Sequence, residues 1–161
     1  MAMKPNKFSC YLVSALLLSI VANVSQAADV IDGDTIKQDG TTYRLWGLDA
    51  PEIGQQCEYR DNYYDCGELA KMGLTAFLGD DAVTCEKVNT DRYKRLVARC
   101  AVEGLDIGSW LVSNGLAVDY PRYSKGYYKT EQDAAEEGEK GIWSGTSRCP
   151  GSGEKKGGKH V

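Results

Sequence analysis

The sequence predicts an α+β fold built mainly from strands, and three observations carry that expectation. Short alternating apolar and polar runs occur in two neighbouring pairs, each pair joined by a polar or charged connection, which is how hairpins read in sequence. Apolar residues recur at helical spacing between the two pairs and again after them. No segment of the chain repeats another, so a solenoid or propeller is set aside.

The elements follow in order. Val30 to Lys37 and Thr41 to Trp46 alternate and are joined by Gln38, Asp39 and Gly40, where Asp-Gly is a strong turn signal. A polar loop bracketed by cysteines runs from Ile53 to Cys66. Glu68 to Leu78 places Leu69, Met72, Ala76 and Phe77 on one helical face, with Gly79 as the stop, and that face is expected to pack on the strands. Ala82 to Val88 and Leu96 to Val102 read as strands across the charged loop Asn89 to Arg95. Asp106 is placed to cap a short helix containing Trp110, Leu111 and Val112, ended by Asn114 and Gly115. Leu116 to Tyr120 reads as a last strand, and Tyr127 to Lys140 as a polar surface helix ended by Gly141 and anchored by Ile142 and Trp143.

Residues 1–27 hold Lys4, Lys7, an apolar run from Tyr11 to Val24 and no acidic residue, which is the pattern of a secretory signal peptide. The run is shorter than a membrane span requires. Cleavage after Ala27, with Ser25 three positions from the cut, fits the small-residue rule; cleavage after Ala22 is the alternative. The expectation is a secreted or periplasmic monomer with one domain over residues 28–146. The Gly/Lys-rich tail, residues 147–161, has too little apolar content to order itself. Loss of Lys4 and Lys7 leaves 17 basic against 23 acidic residues, a net charge near −6. Such a chain does not coat nucleic acid by bulk charge, so a polyanionic substrate would need a local cationic site and a metal.

An exported chain makes disulfides the default use of cysteine. Zinc is the rival, disfavoured because no C-x-x-C occurs and the single histidine, His160, lies two residues from the end. Cys10 falls in the signal segment. Closeness in sequence favours Cys57–Cys66 and Cys85–Cys100, the second also by hairpin geometry, which leaves Cys149 available to join two chains.

Three clusters concentrate the chemistry: Asp32-Gly33-Asp34-Thr35, then Arg44 through Asp49-Ala50-Pro51-Glu52, then Asp91-Arg92-Tyr93-Lys94-Arg95. Singly each reads as a turn or a solvated loop, and the first lacks the spaced ligands and terminal glutamate of an EF-hand. In this order, and with Gly-Leu-Ala at 115–117 and Gly-Ile-Trp at 141–143, the chain from about Val30 to Trp143 resembles the staphylococcal (micrococcal) nuclease family. The resemblance implies a five-stranded OB-fold barrel with about three helices. It also implies a calcium-dependent hydrolase that cuts phosphodiester bonds of DNA and RNA and leaves 3′-phosphates.

Residue by residue, the resemblance implies that Asp34, Asp49 and the backbone carbonyl of Ala50 hold Ca2+, an ion that takes oxygen ligands. With no histidine in the globular region, a base must be a carboxylate, tyrosine or lysine; Glu52 matches the family's glutamate that orients or deprotonates the attacking water. Arg44 and Arg95 match its catalytic arginines, and a planar guanidinium suits phosphoryl oxygens. Asp91 is expected to orient its loop, while Arg92, Tyr93 and Tyr123 match substrate-contacting positions; a base stacked on Tyr123 implies a preference for single strands. Lys94 stands where the best-known member has glycine. A Cys57–Cys66 bridge would either brace Glu52 or compensate for a small core. The rival reading is a noncatalytic OB-fold module that binds single-stranded nucleic acid or extracellular polysaccharide, because fold alone does not fix function.

Overall fold

The computed structural model describes residues 27–60 and 62–144. The expected signal segment, the tail, Cys149 and His160 therefore lie outside the described residues, apart from Ala27 at the segment's last position. The chain is α+β and mainly strands, with four helices among the described residues, an OB-like arrangement. Its main sheet runs β1 (Asp29–Asp32), β2 (Thr35–Gln38), β3 (Thr41–Leu45), β8 (Leu96–Val102), β7 (Val83–Thr90), with β9 (Leu105–Asp106) added beside β8. That path holds four of the five expected strands, the first of them as two pieces, while the fifth, expected over Leu116 to Tyr120, pairs outside it as β10. Pairings are antiparallel except β3 with β8, which run parallel with Arg44 opposite Val97. Two short ladders complete the strands: β4 (Leu48–Asp49) with β10 (Val118–Asp119), and β5 (Gln56–Tyr59) with β6 (Asn62–Asp65).

Where a single strand was expected over Val30 to Lys37, there are two. The Asp32 carboxylate accepts the Asp34 N–H at 3.1 Å, a side-chain turn that competes with the extended ladder. Gly33 lets that turn press inward, since a Cβ there would sit 2.8 Å from Ala50 Cβ and 2.9 Å from Ala70 Cβ. The expected loop Ile53 to Cys66 contains the β5–β6 hairpin, closed by the Cys57–Cys66 bond. Tertiary packing of its cysteines outweighed the polar composition on which the loop expectation rested.

Helix α1 (Cys66–Leu78) starts two residues before the expected range, because Asp65 caps it by accepting the Glu68 N–H at 2.8 Å. Its buried face is Cys66, Ala70, Leu74 and Leu78, at strict i+4 spacing. The face read from sequence is corrected: Leu69 and Met72 are exposed, and only Phe77 of that set packs on the core, stacked on Trp110. Two rows of apolar residues lie on this helix, and the small Ala70 lets one row approach the turn after β1 at Gly33, while Gly67 lets the helix start close on the Glu52 segment.

Helix α2 (Ile107–Ser113) is capped by Asp106 as expected. The last strand shrinks to β10, because Pro121 opens a four-residue helix α3 (Pro121–Ser124) directly after it. Helix α4 (Lys129–Glu137) is shorter than the expected Tyr127 to Lys140, with Ala135 buried, and a 3-10 turn follows over Gly141–Ser144. The main core joins Ile36, Leu45 and Ala98 of the sheet to Leu74, Leu78, Ile107 and Leu111 of the helices. A smaller cluster of Cys57, Cys66, Val118 and Ile142, with Tyr64 and Trp143 against it, ties the disulfide hairpin to β10 and the Gly141–Ser144 turn. Cys85 and Cys100 face each other across β7–β8 and are bonded, as expected.

Candidate active site

One part of the site is built on strands. Thr35 and Arg44 are ladder partners on β2 and β3, and Arg44 is held again by β8 on its other side. Its guanidinium meets Asp34 through both Nη atoms, at 3.0 Å from Nη1 to Oδ1 and 2.7 Å from Nη2 to Oδ2, and reaches Asp49 Oδ1 at 2.9 Å from Nη2. Thr35 Oγ1 donates to Asp34 at 2.9 Å. Three of roughly five guanidinium N–H donors are thus committed to carboxylates. Asp34 is only 4% exposed. Burial pushes its carboxyl up to about 7, against the pull of Arg44 and with a further push from Asp32.

The second part is built on loops. Between β7 and β8, the Asp91 carboxylate accepts from the Tyr93 N–H at 2.8 Å, the Arg95 N–H at 2.9 Å and Arg95 Nε at 2.7 Å. Residual burial pushes the Asp91 carboxyl up, but these bonds, with the Arg95 charge, hold it below its ordinary range. Asp91 therefore orients the loop as expected and takes the Nε edge of Arg95, whose guanidinium lies over the Tyr93 ring at 5.5 Å with no described hydrogen bond from its Nη fork. Lys94 has φ 66°, so the backbone keeps the left-handed turn for which glycine is better suited.

Glu52 lies on the other loop, exposed, with its backbone clamped. Its N–H donates to Gln55 Oε1 at 3.2 Å, and the Gln55 N–H donates back to the Glu52 carbonyl at 2.9 Å. The Cys66 N–H then holds the Gln55 carbonyl at 3.0 Å. Helix α1 approaches so closely that a Cβ on Gly67 would lie 1.9 Å from the Glu52 carbonyl oxygen.

A cavity of about 660 Å³ opens beside these elements. Arg44, Arg92, Tyr93, Arg95 and Tyr123 line it, so the structure brings together the expected arginines and substrate-contacting tyrosines. Asp34, Asp49, Ala50 and Glu52 are not part of its lining; the two aspartates adjoin it through Arg44. The lining carries four arginines, with Arg122 the fourth, against one carboxylate, Asp91, in a chain whose net charge is −4. Sequence reasoning missed Arg122. Its signal was a basic residue between Tyr120 and Tyr123, and the assumption that the last strand continued hid the turn that presents it. Gln55 and Gly67 were also missed, because their role depends on contacts between loop and helix.

The donor set fits a hard divalent cation. Asp34 and Asp49 converge on one guanidinium nitrogen, and a carboxylate strained toward protonation by burial gains from additional positive charge. Among the described residues no group of three or more His, Cys, Asp or Glu side chains could hold a metal ion. The remaining ligands would be carbonyl and water oxygens, which calcium accepts.

Comparisons with known proteins identify the family. Residues 42–145 match the family described as "Staphylococcal nuclease homologue". The chain is 38% identical over 138 residues to the "Succinoglycan biosynthesis protein ExoI" of Rhizobium meliloti (strain 1021), covering 81% of this chain and 72% of that protein. It is 29% identical over 120 residues to the "Probable endonuclease LCL3" of Clavispora lusitaniae, and 28% over 120 residues to the protein of the same name from Scheffersomyces stipitis. Each of those two matches covers 68% of this chain and 50% of the relative, so the chain spans half the length of these endonucleases.

Proposed function

Since the chain belongs to the staphylococcal nuclease homologue family, we propose that it is an exported, calcium-dependent phosphodiesterase that hydrolyses DNA and RNA, prefers single strands and leaves 3′-phosphates. The observation that carries this reading is the cavity with four arginines and one carboxylate in an acidic chain, a local positive field suited to a phosphate-bearing ligand. The N-terminal segment, residues 1–27, and the two disulfides support export to a secreted or periplasmic location.

In this mechanism Asp34, Asp49 and the Ala50 carbonyl would hold calcium, which would supply Lewis-acid polarisation of the phosphoryl group. Glu52 orients the attacking water and takes its proton. Arg95 directs its open Nη fork at the charge gathering on the phosphoryl oxygens, while Arg44, with most donors on Asp34 and Asp49, holds the carboxylates together and gives its remaining N–H groups to the same charge. Arg92 and Tyr93 hold substrate, and Tyr123 stacks a base.

A noncatalytic module that binds single-stranded nucleic acid or extracellular polysaccharide is the second reading, favoured by the likeness to a protein named for succinoglycan biosynthesis. One assay separates them: purified protein on denatured DNA, with calcium or with excess chelator. The nuclease reading requires cleavage with calcium and none with chelator. Binding without cleavage in either condition supports the module.

A further inference from the structure

Two tyrosines from unrelated elements, each under an arginine, line the same cavity, and Tyr93 also carries Arg95 over its ring at 5.5 Å. Arg92 lies over the Tyr93 ring at 4.7 Å on the β7–β8 loop, and Arg122 lies over the Tyr123 ring at 5.7 Å on α3. The other two arginines of the cavity are ion-paired, Arg44 to Asp34 and Asp49, and Arg95 to Asp91. Arg92 and Arg122 have no carboxylate partner among the described residues, so their charge is available to a ligand.

The second pair is also held in place. Pro121 fixes the start of α3, Lys125 ends it in the left-handed region at φ 58°, and the Lys125 ammonium donates to the Arg122 carbonyl at 3.0 Å. Tyr123 is steadied by an edge contact with Tyr120 at 5.1 Å and by its N–H donating to the Tyr120 carbonyl at 2.9 Å. A guanidinium beside an aromatic face offers a donor for phosphate and a platform for a base, the two features that repeat along a nucleic-acid strand. At about 660 Å³ the cavity falls within the roughly 300–1,000 Å³ range that encloses a sizeable ligand.

Resting on the nuclease reading above, we infer that Arg122 and Tyr123 form a second nucleotide subsite, in which Arg122 binds a backbone phosphate neighbouring the scissile one. The site then reads a strand of several nucleotides, and Arg122 contributes to strand affinity rather than to the chemical step.

The test uses two single-stranded oligonucleotides of one sequence, the first with ordinary phosphodiesters and the second with neutral methylphosphonates everywhere except the scissile link. On the first, Arg122→Gln raises KM about tenfold with kcat within about twofold, and the slope of log(kcat/KM) against log salt falls by about 0.7, one phosphate contact on a single strand. Arg122→Lys recovers most of the slope. On the second, wild type has already lost the contact, so Arg122→Gln costs nothing further relative to wild type. Circular dichroism confirms that the exposed variants fold. Equal losses on both substrates, or none on the first, overturn the subsite while leaving the nuclease reading intact. Wild type that cuts neither substrate with calcium present overturns the nuclease reading, and the subsite with it.

Discussion

The two parts of the site are held by different kinds of bond. Arg44 sits between two strands with ladder partners on both sides, and Asp49 is a ladder residue opposite Val118, so backbone pairing fixes both whatever their side chains do. Glu52 and Arg95 depend on a few individual groups: Gln55, Gly67 and the hairpin bridge for the first, the Asp91 carboxylate for the second. The strand part gathers the charges; the loop part aims the groups assigned to the transition state. Geometry held by many shared backbone bonds tolerates the loss of one, whereas geometry held by single contacts does not. Activity and stability should therefore come apart in the loop part.

The largest expected effect is on Glu52. Glu52→Gln keeps the loop hydrogen bonds, which use its backbone, and removes the base, so kcat for single-stranded DNA should fall about 10²- to 10⁴-fold with KM little changed. Wild-type turnover from the folded variant would move the base elsewhere. Next is Gly67→Ala, which must displace the Glu52 segment or the helix start, and a shift near 1 Å costs about 10²-fold in rate. Gly73→Ala on the same helix meets only the flexible end of Leu116, at 2.6 Å, which can turn aside, and alanine is the better helix former by about 1 kcal/mol, so the melting temperature should not fall and kcat should be unchanged. If the two alanines behave alike, α1 does not position Glu52.

The disulfides give a third, smaller contrast. Closing the 15-residue separation of Cys85–Cys100 contributes about 3 kcal/mol on the chain-entropy view. Cys85→Ser with Cys100→Ser should lower the melting temperature and spare kcat below the transition, whereas Cys57→Ser with Cys66→Ser should lower both. The smallest effect is in acid. The Asp91 carboxyl is held below its ordinary range, so its contribution is full above about pH 3.9 and is lost as pH falls through the lower folded value. Asp91→Asn should reproduce that loosening at neutral pH, seen as faster hydrogen exchange at Tyr93 and Arg95, and equal exchange in both proteins would show that the carboxylate does not hold the loop.

Legibility in the sequence divides along the same line. The strands of both hairpins and the Asp106 cap were readable, because period-two alternation and turn residues act locally. Asp34, Arg44 and Asp49 were singled out through the family resemblance, and the pairing of Arg44 with both carboxylates was not read from the sequence, because it depends on how the strands bring the side chains together. The α1 face was misread because Leu69 and Met72 match helical periodicity as well as Leu74 and Leu78 do, and only the close packing that Ala70 permits against Gly33 and Gly67 permits against Glu52 separates the two rows. Arg122, Gln55 and the β5–β6 hairpin were not readable. Their placement depends on contacts between segments distant in sequence or on a proline-forced turn after β10.

The division of labour itself is the central claim: Asp34 and Asp49 hold the cation, and Arg95 acts on the transition state. Initial rates of denatured-DNA cleavage against free calcium, for wild type, Asp49→Asn and Arg95→Lys, test it in one experiment. Asp49→Asn should raise the calcium needed for half-maximal rate by at least ~10-fold, because a charged ligand is lost. Arg95→Lys should leave that midpoint in place and lower the maximal rate about 10²- to 10³-fold, since an ammonium keeps the charge but not the fork. An unshifted midpoint in Asp49→Asn, or cleavage by wild type that persists without calcium, would contradict the account.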